Sequence, residues 1–394
     1  MSGHYYFDHA ASAPRRDEVA EAMAPWQHGV VGNPSGSHHA AREARRAVEE
    51  ARDEVAAFVG AKPGGVIFTA GGTESCHLAV TGVANQHRRT HDTTSIVLSR
   101  VEHHAIIDAV ELLVRDFPSV RRTYVDVDGD GVLDLDSLKA AMGPDTAIVS
   151  VMAANNETGV LQPLDGVVSL VENTNPDTVT HSDAVAAAPW CDLRDTTASI
   201  DMISICAHKI GGPVSSGALI LRGDVSFDAV VPGGGQERGR RGGTVDVAAA
   251  VGLACAVRLV ARDRDEVNAR VTRYQRQLVD ALGALDGCVV TAPGARRLPG
   301  TVHVTFEGLA SDELLFLLDQ AGVCAAAASS CSSGAGVASH VLDAMGVPAT
   351  RARGALRLSM GAETTQAQVD KLVVILTSVV QRLRGEASAG RLTD

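Results

Sequence analysis

Lys209 stands in "DMISICAHKIGGPVSSGALILR", residues 201–222, between an apolar run and a Gly-rich turn. Lysine is among the residues least often buried, and this chain holds only four (Lys62, Lys139, Lys209, Lys371) against thirty-one arginines. A partly desolvated amine has a lowered pKa and attacks carbonyl carbon, which is what Schiff-base chemistry requires. An aldehyde cofactor of the pyridoxal phosphate type makes three further demands. It needs an acid for its pyridinium nitrogen, donors for its phosphate and a group over its ring.

Each demand has a candidate. Asp183 in "HSDA" can pair with the ring nitrogen. "GGTES" can put backbone N–H groups, beginning at Gly72, and the Thr73 hydroxyl on a phosphate at a helix N-terminus. His103 in "VEHHAI" can stack on the ring and move protons, and His208 directly precedes the lysine. "PGGGQERGRRGGT", 232–244, has no aromatic on which bases could stack, so a turn bringing Thr244 to a phosphate fits it better than nucleic acid. Arg357 in "RGALRLSMG" lies on an apolar run, where a guanidinium calls for a bidentate carboxylate, and an amino-acid substrate supplies one. Cys331, flanked by two serines on each side within the small-residue run 325–336, reads as an exposed and movable thiol.

The elements that must position these residues follow from periodicity. A helix is expected from about residue 35 to the Gly/Pro stop near 64. Seven short apolar runs follow, "GVIFTA", "SIVLSR", "RTYVDVD", "TAIVSVMAA", "TVTHSDA", "MISICA" and "GALILR", mostly separated by helix-like segments. That alternation predicts an α/β fold whose mainly parallel sheet is covered on both faces, with ligands bound where the strands end. After about residue 250 a long helical segment through 285, strands near "TVHVTF", a helix "SDELLFLLDQAG" and a last helix over about 364–385 read as a smaller α+β domain. "DVDGDGVLDLDS" copies half of a calcium loop, but its twelfth position is Ser137 and a strand precedes it, so it reads as a polar turn.

At 394 residues two domains are expected. A formal charge of −12 argues against nucleic acid or a membrane surface as the main partner. Seven cysteines without C-x-x-C pairing suggest neither a disulfide framework nor a metal site. The first residues lack the basic start and apolar run of a signal peptide, so a cytoplasmic location is expected.

In these motifs the sequence resembles the cysteine desulfurases, pyridoxal-phosphate enzymes of fold type I of the nitrogen-fixation and iron–sulfur assembly kind. The likeness runs from "YFDHAASAP" through "GNPSGSHHAAREA", "TAGGTES", "VEHHAI", "ANNETG", "HSDA", "HKIGGP", "GGGQERGRRGGT" and "SSCSSG" to "SHVLDAMG" and "LRLSMG". The resemblance implies a seven-stranded large domain over 15–255 and a small domain built from 1–14 and 256–394. It implies that Lys209 holds pyridoxal phosphate as a Schiff base, that His103 stacks on the ring and that Asp183 pairs with the pyridinium. Asn155 would position cofactor and substrate, Thr73 would contact the phosphate, and Arg357 would hold the substrate carboxylate. Thr244 would reach the phosphate of a neighbouring subunit in a homodimer. L-cysteine would lose its sulfur to the Cys331 thiolate, leaving a persulfide and alanine. The sulfur would then pass to an acceptor protein, such as an iron–sulfur scaffold or a tRNA-thiolation enzyme.

Three positions depart from the family pattern. Ala186 stands where a Gln usually faces the cofactor, Cys206 where a serine often contacts the phosphate, and Ala338 where a proline often precedes "SHVL". Two other readings stay open on the residues alone: another C–S or selenocysteine lyase, and a non-catalytic scaffold that keeps the fold and binds an assembly partner.

Overall fold

The computed structural model describes residues 4–327 and 339–390. Among them the strands, in chain order, are β1 (Tyr5–Tyr6), β2 (Val66–Thr69), β3 (Thr94–Ser99), β4 (Val120–Val125), β5 (Thr146–Ser150), β6 (Val179–Asp183), β7 (Met202–Cys206), β8 (Gly217–Leu221), β9 (Cys288–Val290), β10 (Thr301–Phe306), β11 (Val323–Cys324) and β12 (Ala355–Ser359). The helices are α1 (Asp17–Gln27), α2 (His39–Val59), α3 (Gly72–His87), α4 (His104–Asp116), α5 (Leu135–Ala141), α6 (Leu164–Thr174), α7 (Leu193–Thr196), α8 (Val247–Gly283), α9 (Ser311–Gln320), α10 (His340–Ala344), α11 (Ala349–Ala352) and α12 (Gln366–Gly390).

All seven predicted runs form one sheet of order β2-β8-β7-β6-β5-β3-β4. Only β8 runs against its neighbours. Because β8 lies antiparallel to both β2 and β7, β2 points the same way as the rest, so the ends of β2, β3, β5, β6 and β7 open on one edge. The strands are apolar on both faces because both are covered. Ile67, Ile96 and Leu98 join Leu78 and Ile106 on one side, while Val66, Phe68 and Val97 join Val55 and Leu253 on the other. The alternation within β2 and β3 is the two-residue period of a strand sorted into two cores.

The expected helix near residue 35 begins at His39, with the His38 ring accepting from the Ala41 amide, and ends at Gly60 in the left-handed region (φ 68°). A second core gathers Phe7, Leu278, Val304, Leu356 and Leu376 around a three-stranded sheet, β12-β10-β9. The α8 helix feeds both cores, Leu253 and Leu259 the first, Val271 and Leu278 the second. The predicted division at 255/256 therefore falls inside a continuous helix. The last helix also runs further than expected, to Gly390. In the stretch after β4, Asp128 Oδ1 accepts from the amides of Asp130 and Val132, both at 2.9 Å, which makes a polar turn of it.

The Arg/Gly segment is tied down by a buried ion pair. Glu237 accepts from Arg52 Nη1 and Nη2 at 2.9 Å each and from the Phe68 amide at 2.8 Å. Glu237 and Arg238 take left-handed φ of 48° and 59°, strained for residues with a Cβ and held by that pairing.

Candidate active site

Gly72, Thr73, His103, Asn155, Asp183, Cys206, His208 and Lys209 collect on the shared edge of the sheet, in or just after its strands. After β2 the chain turns through Gly71 at φ +145°, open only to glycine, and a Cβ on Gly72 would lie 2.8 Å from Val185 Cγ2. These two glycines let the start of α3 lie flat against the Asp183 loop. The first-turn N–H groups of the helix and the exposed Thr73 then form an open anion cradle. Cys206 ends β7 fully buried, its Cβ 3.6 Å from the position a Cβ on Gly72 would take and its Sγ 4.0 Å from His208 Nε2. Burial pushes its thiol up to about 12, which leaves it neutral.

Lys209 follows in the turn, half-buried, its Nζ donating to the carbonyls of Ala10 and, at 2.9 Å, Ala11. Burial, with the lysine charge behind it, holds His208 down near 4. Asp183 lies at the end of β6, 7% exposed, its Oδ1 accepting from the Val185 amide at 2.9 Å. Burial raises its pKa, while His103, the Val185 amide, a hydrogen bond with the Cys76 thiol and Lys209 pull it down. Both His103 and Lys209 thus act electrostatically on the one carboxylate. His103 caps α4 through Nδ1, which accepts from the Ala105 amide at 3.0 Å, so a neutral ring carries its proton on Nε2.

Asn155 is buried with its amide group fully engaged. Oδ1 accepts from the amides of Glu157 and Thr158 and from the Thr158 hydroxyl, and Nδ2 donates to the Val101 carbonyl at 3.1 Å. It locks the loop after β5 to the loop that carries His103. Arg357, on β12 of the second core, donates from Nη1 to the Asn156 carbonyl at 3.0 Å and from Nη2 to Asp8 Oδ1 at 2.9 Å. The carboxylate that its burial called for is therefore already supplied within the chain. Thr244 lies elsewhere, exposed in a groove with Asn33, Ser35 and Arg238. Cys331 and Ala338 fall outside the described residues.

Beside Lys209 runs a cavity of about 80 Å³ lined by Ala186, Asn155, His9, Trp190 and Met360. Ala186, where the family has Gln, opens onto it.

Four residues were not singled out from the sequence. Asp8 lies within "YFDHAASAP", Glu102 precedes His103, Cys76 lies behind Asp183, and His181 bridges Ser150 and Ser204 at 2.9 Å on each ring nitrogen. Burial drives His181 down to about 3, so it is a neutral spacer two residues before Asp183. Each is an ordinary polar residue in sequence; only its partners, distant along the chain, give it a role.

A half-buried amine, a fully buried carboxylate, an imidazole able to exchange a proton at Nε2 and a glycine-lined anion cradle fit pyridoxal phosphate, whose aldehyde, pyridinium, ring and phosphate need those groups. Residues 5–372 match the family model described as aminotransferase class-V. The chain is 42% identical over 395 residues to the IscS-like cysteine desulfurase of Mycobacterium tuberculosis (strain ATCC 25618 / H37Rv), covering 98% of each. A solved NifS-like protein superposes with a TM-score of 0.89 at 31% identity, over 96% of this chain and 99% of that one. The structure titled SspA in complex with cysteine does so at 0.79 and 29%, over 92% and 100%.

The chain belongs to the class-V aminotransferase family. Within that family it falls among the pyridoxal-phosphate-dependent cysteine desulfurases.

Proposed function

We propose that this enzyme removes sulfur from L-cysteine, releasing L-alanine, with the sulfur caught by Cys331 as a persulfide and handed to an acceptor protein. The observation that carries the reading is the convergence of Lys209 and His103 on the buried Asp183 carboxylate at one sheet edge. Bound pyridoxal phosphate supplies an electron sink for charge developing on the carbon next to the substrate nitrogen.

The chain's own residues do the rest. Lys209 Nζ would hold the cofactor aldehyde and is the amine placed to take a proton from the substrate Cα. Asp183 would hold the pyridinium nitrogen and His103 would lie against the ring, its Nε2 able to exchange a proton. Arg357 orients the substrate carboxylate, and the loop locked by Asn155 holds the walls in place. The Thr73 and Cys206 side chains and the Gly72 amide would hold the phosphate, with His208 closing the turn beside Lys209. The Cys331 thiolate attacks the substrate sulfur and the Cβ–S bond breaks. Its electrons stay with the three-carbon fragment, which takes up protons to become alanine, and the detached sulfur stays on Cys331 as a persulfide.

In this reading the working form is a cytoplasmic homodimer in which Thr244 of each subunit serves the phosphate of the other, consistent with its exposed place away from Lys209. Among the described residues no helix is long and apolar enough to cross a membrane. The large domain, 15–255, would carry the cofactor, and the small one, 1–14 with 256–394, would carry Arg357 and the Cys331 segment. The test is to incubate the holoenzyme with L-cysteine and measure alanine and protein-bound persulfide, which should appear in equal amounts in the first turnover. Alanine without persulfide would indicate a lyase of another kind.

A further inference from the structure

Two carboxyl groups lie buried beneath the cofactor edge. Asp183 ends β6, and Glu102 lies in the loop after β3, directly before His103. Glu102 is 0% exposed. Its Oε1 accepts from the Met152 amide at 2.5 Å, its backbone carbonyl accepts from His340 Nε2 at 2.9 Å, and its Oε2, also buried, has no hydrogen-bond partner. Two like charges so placed in a low-dielectric interior do not both ionise without large cost.

The surroundings decide which of the two is neutral. Asp183 has the Val185 amide, the Cys76 thiol and the charges of His103 and Lys209 in its favour. Glu102 has one backbone amide. The titratable groups around it are Asp183 from β6, Cys76 from α3, and His340 from α10 with His103 and His104 from the start of α4. Burial lowers the pKa of His340, so it brings no charge at neutral pH. Burial first and Asp183 second push the Glu102 carboxyl up to about 8.

We propose that Glu102 is a positioning residue that carries the proton of this carboxyl pair. In neutral form it ties the His103 loop to the 151–158 loop and leaves Asp183 as the negative charge of the pair. The use of that charge, to hold a protonated pyridinium, rests on the desulfurase reading; the proton on Glu102 does not.

The experiment is thermal unfolding of the full chain and its Glu102→Gln variant from pH 5 to 8, with cofactor bound and again after its removal. A carboxyl whose folded pKa lies above its unfolded value of 4.5 favours folding below that value and loses this contribution as pH rises toward 8. Glutamine does not titrate, so the unfolding midpoint of the variant should gain on that of the parent progressively across the window. A difference that stays flat with pH would overturn the proposal whether or not the enzyme desulfurates cysteine.

A second readout is the bound cofactor's absorbance and kcat. Glu102→Ala should lower kcat about ten-fold or more, and Glu102→Gln should restore it to within a few-fold, because the amide both accepts from Met152 and stays neutral. A glutamine variant no better than alanine would contradict a neutral Glu102. Should the alanine variant fail to fold, the pH dependence of the glutamine variant decides alone.

Discussion

Arg357 Nη2 donates to Asp8 Oδ1 at 2.9 Å, with the arginine side chain 2% and the aspartate 22% exposed. The residue proposed for the substrate carboxylate is thus already paired within the chain. A second carboxylate entering beside Asp8 meets like charge, which at about 4 Å and an effective dielectric near 20 amounts to about 4 kcal/mol before relaxation. Asp8→Asn relieves that opposition while keeping a group that can accept from Nη2. The KM for L-cysteine should fall several-fold with kcat held within about two-fold. A rise in KM would mean that Asp8 orients the guanidinium rather than competing for it.

Lys209→Ala should lose every borohydride-reducible cofactor adduct while the fold persists. The two carbonyls that lose their donor, Ala10 and Ala11, lie at a half-exposed position where water can replace it, so the stability cost is about 1 kcal/mol. Denaturant unfolding beside borohydride trapping checks both halves. A trapped adduct in the variant would move the Schiff base to another amine.

Glu237 should matter to stability. It is 8% exposed and accepts from Arg52 Nη1 and Nη2 and from the Phe68 amide. Glu237→Ala leaves the buried Arg52 guanidinium with only the Val66 carbonyl at 2.7 Å and the half-exposed Glu49 at 3.2 Å, so urea unfolding should show a loss of about 3 kcal/mol. The 232–244 segment, freed from its strained turn, should also become protease-sensitive. A loss under about 1 kcal/mol would show that water reaches Arg52 readily.

The sheet was legible because its strands are covered on both faces and read as unbroken apolar runs, and all seven were found. The edge of the site was legible for a related reason. Lys209, Asp183 and His103 are polar residues placed directly after such runs, where a buried strand has no structural use for them. Glu102, Asp8 and Glu237 were not legible, because each depends on a partner far along the chain: Asp8 on Arg357, 349 residues away, and Glu237 on Arg52, 185 away. The position expected for the domain division, 255/256, lies within α8 and leaves no mark in the pattern. A change of partner along α8 leaves its helical periodicity intact, so one helix serves two cores without any break in the pattern.

Cys331 lies outside the described residues, so the central claim rests on a chemical measurement. Parent enzyme and Cys331→Ser are each given L-cysteine, with alanine quantified and the persulfide located by mass spectrometry of the trapped protein. A serine hydroxyl is barely ionised at neutral pH, whereas a cysteine thiol is a thiolate to about a few per cent and is by far the stronger nucleophile. The account predicts that the variant still binds L-cysteine, since Lys209, Asp183 and Arg357 are untouched, but makes neither alanine nor persulfide. In the parent the extra sulfur should map to Cys331. Alanine at the parent rate from the variant, or a persulfide mapped to Cys324 or Cys206, would contradict it.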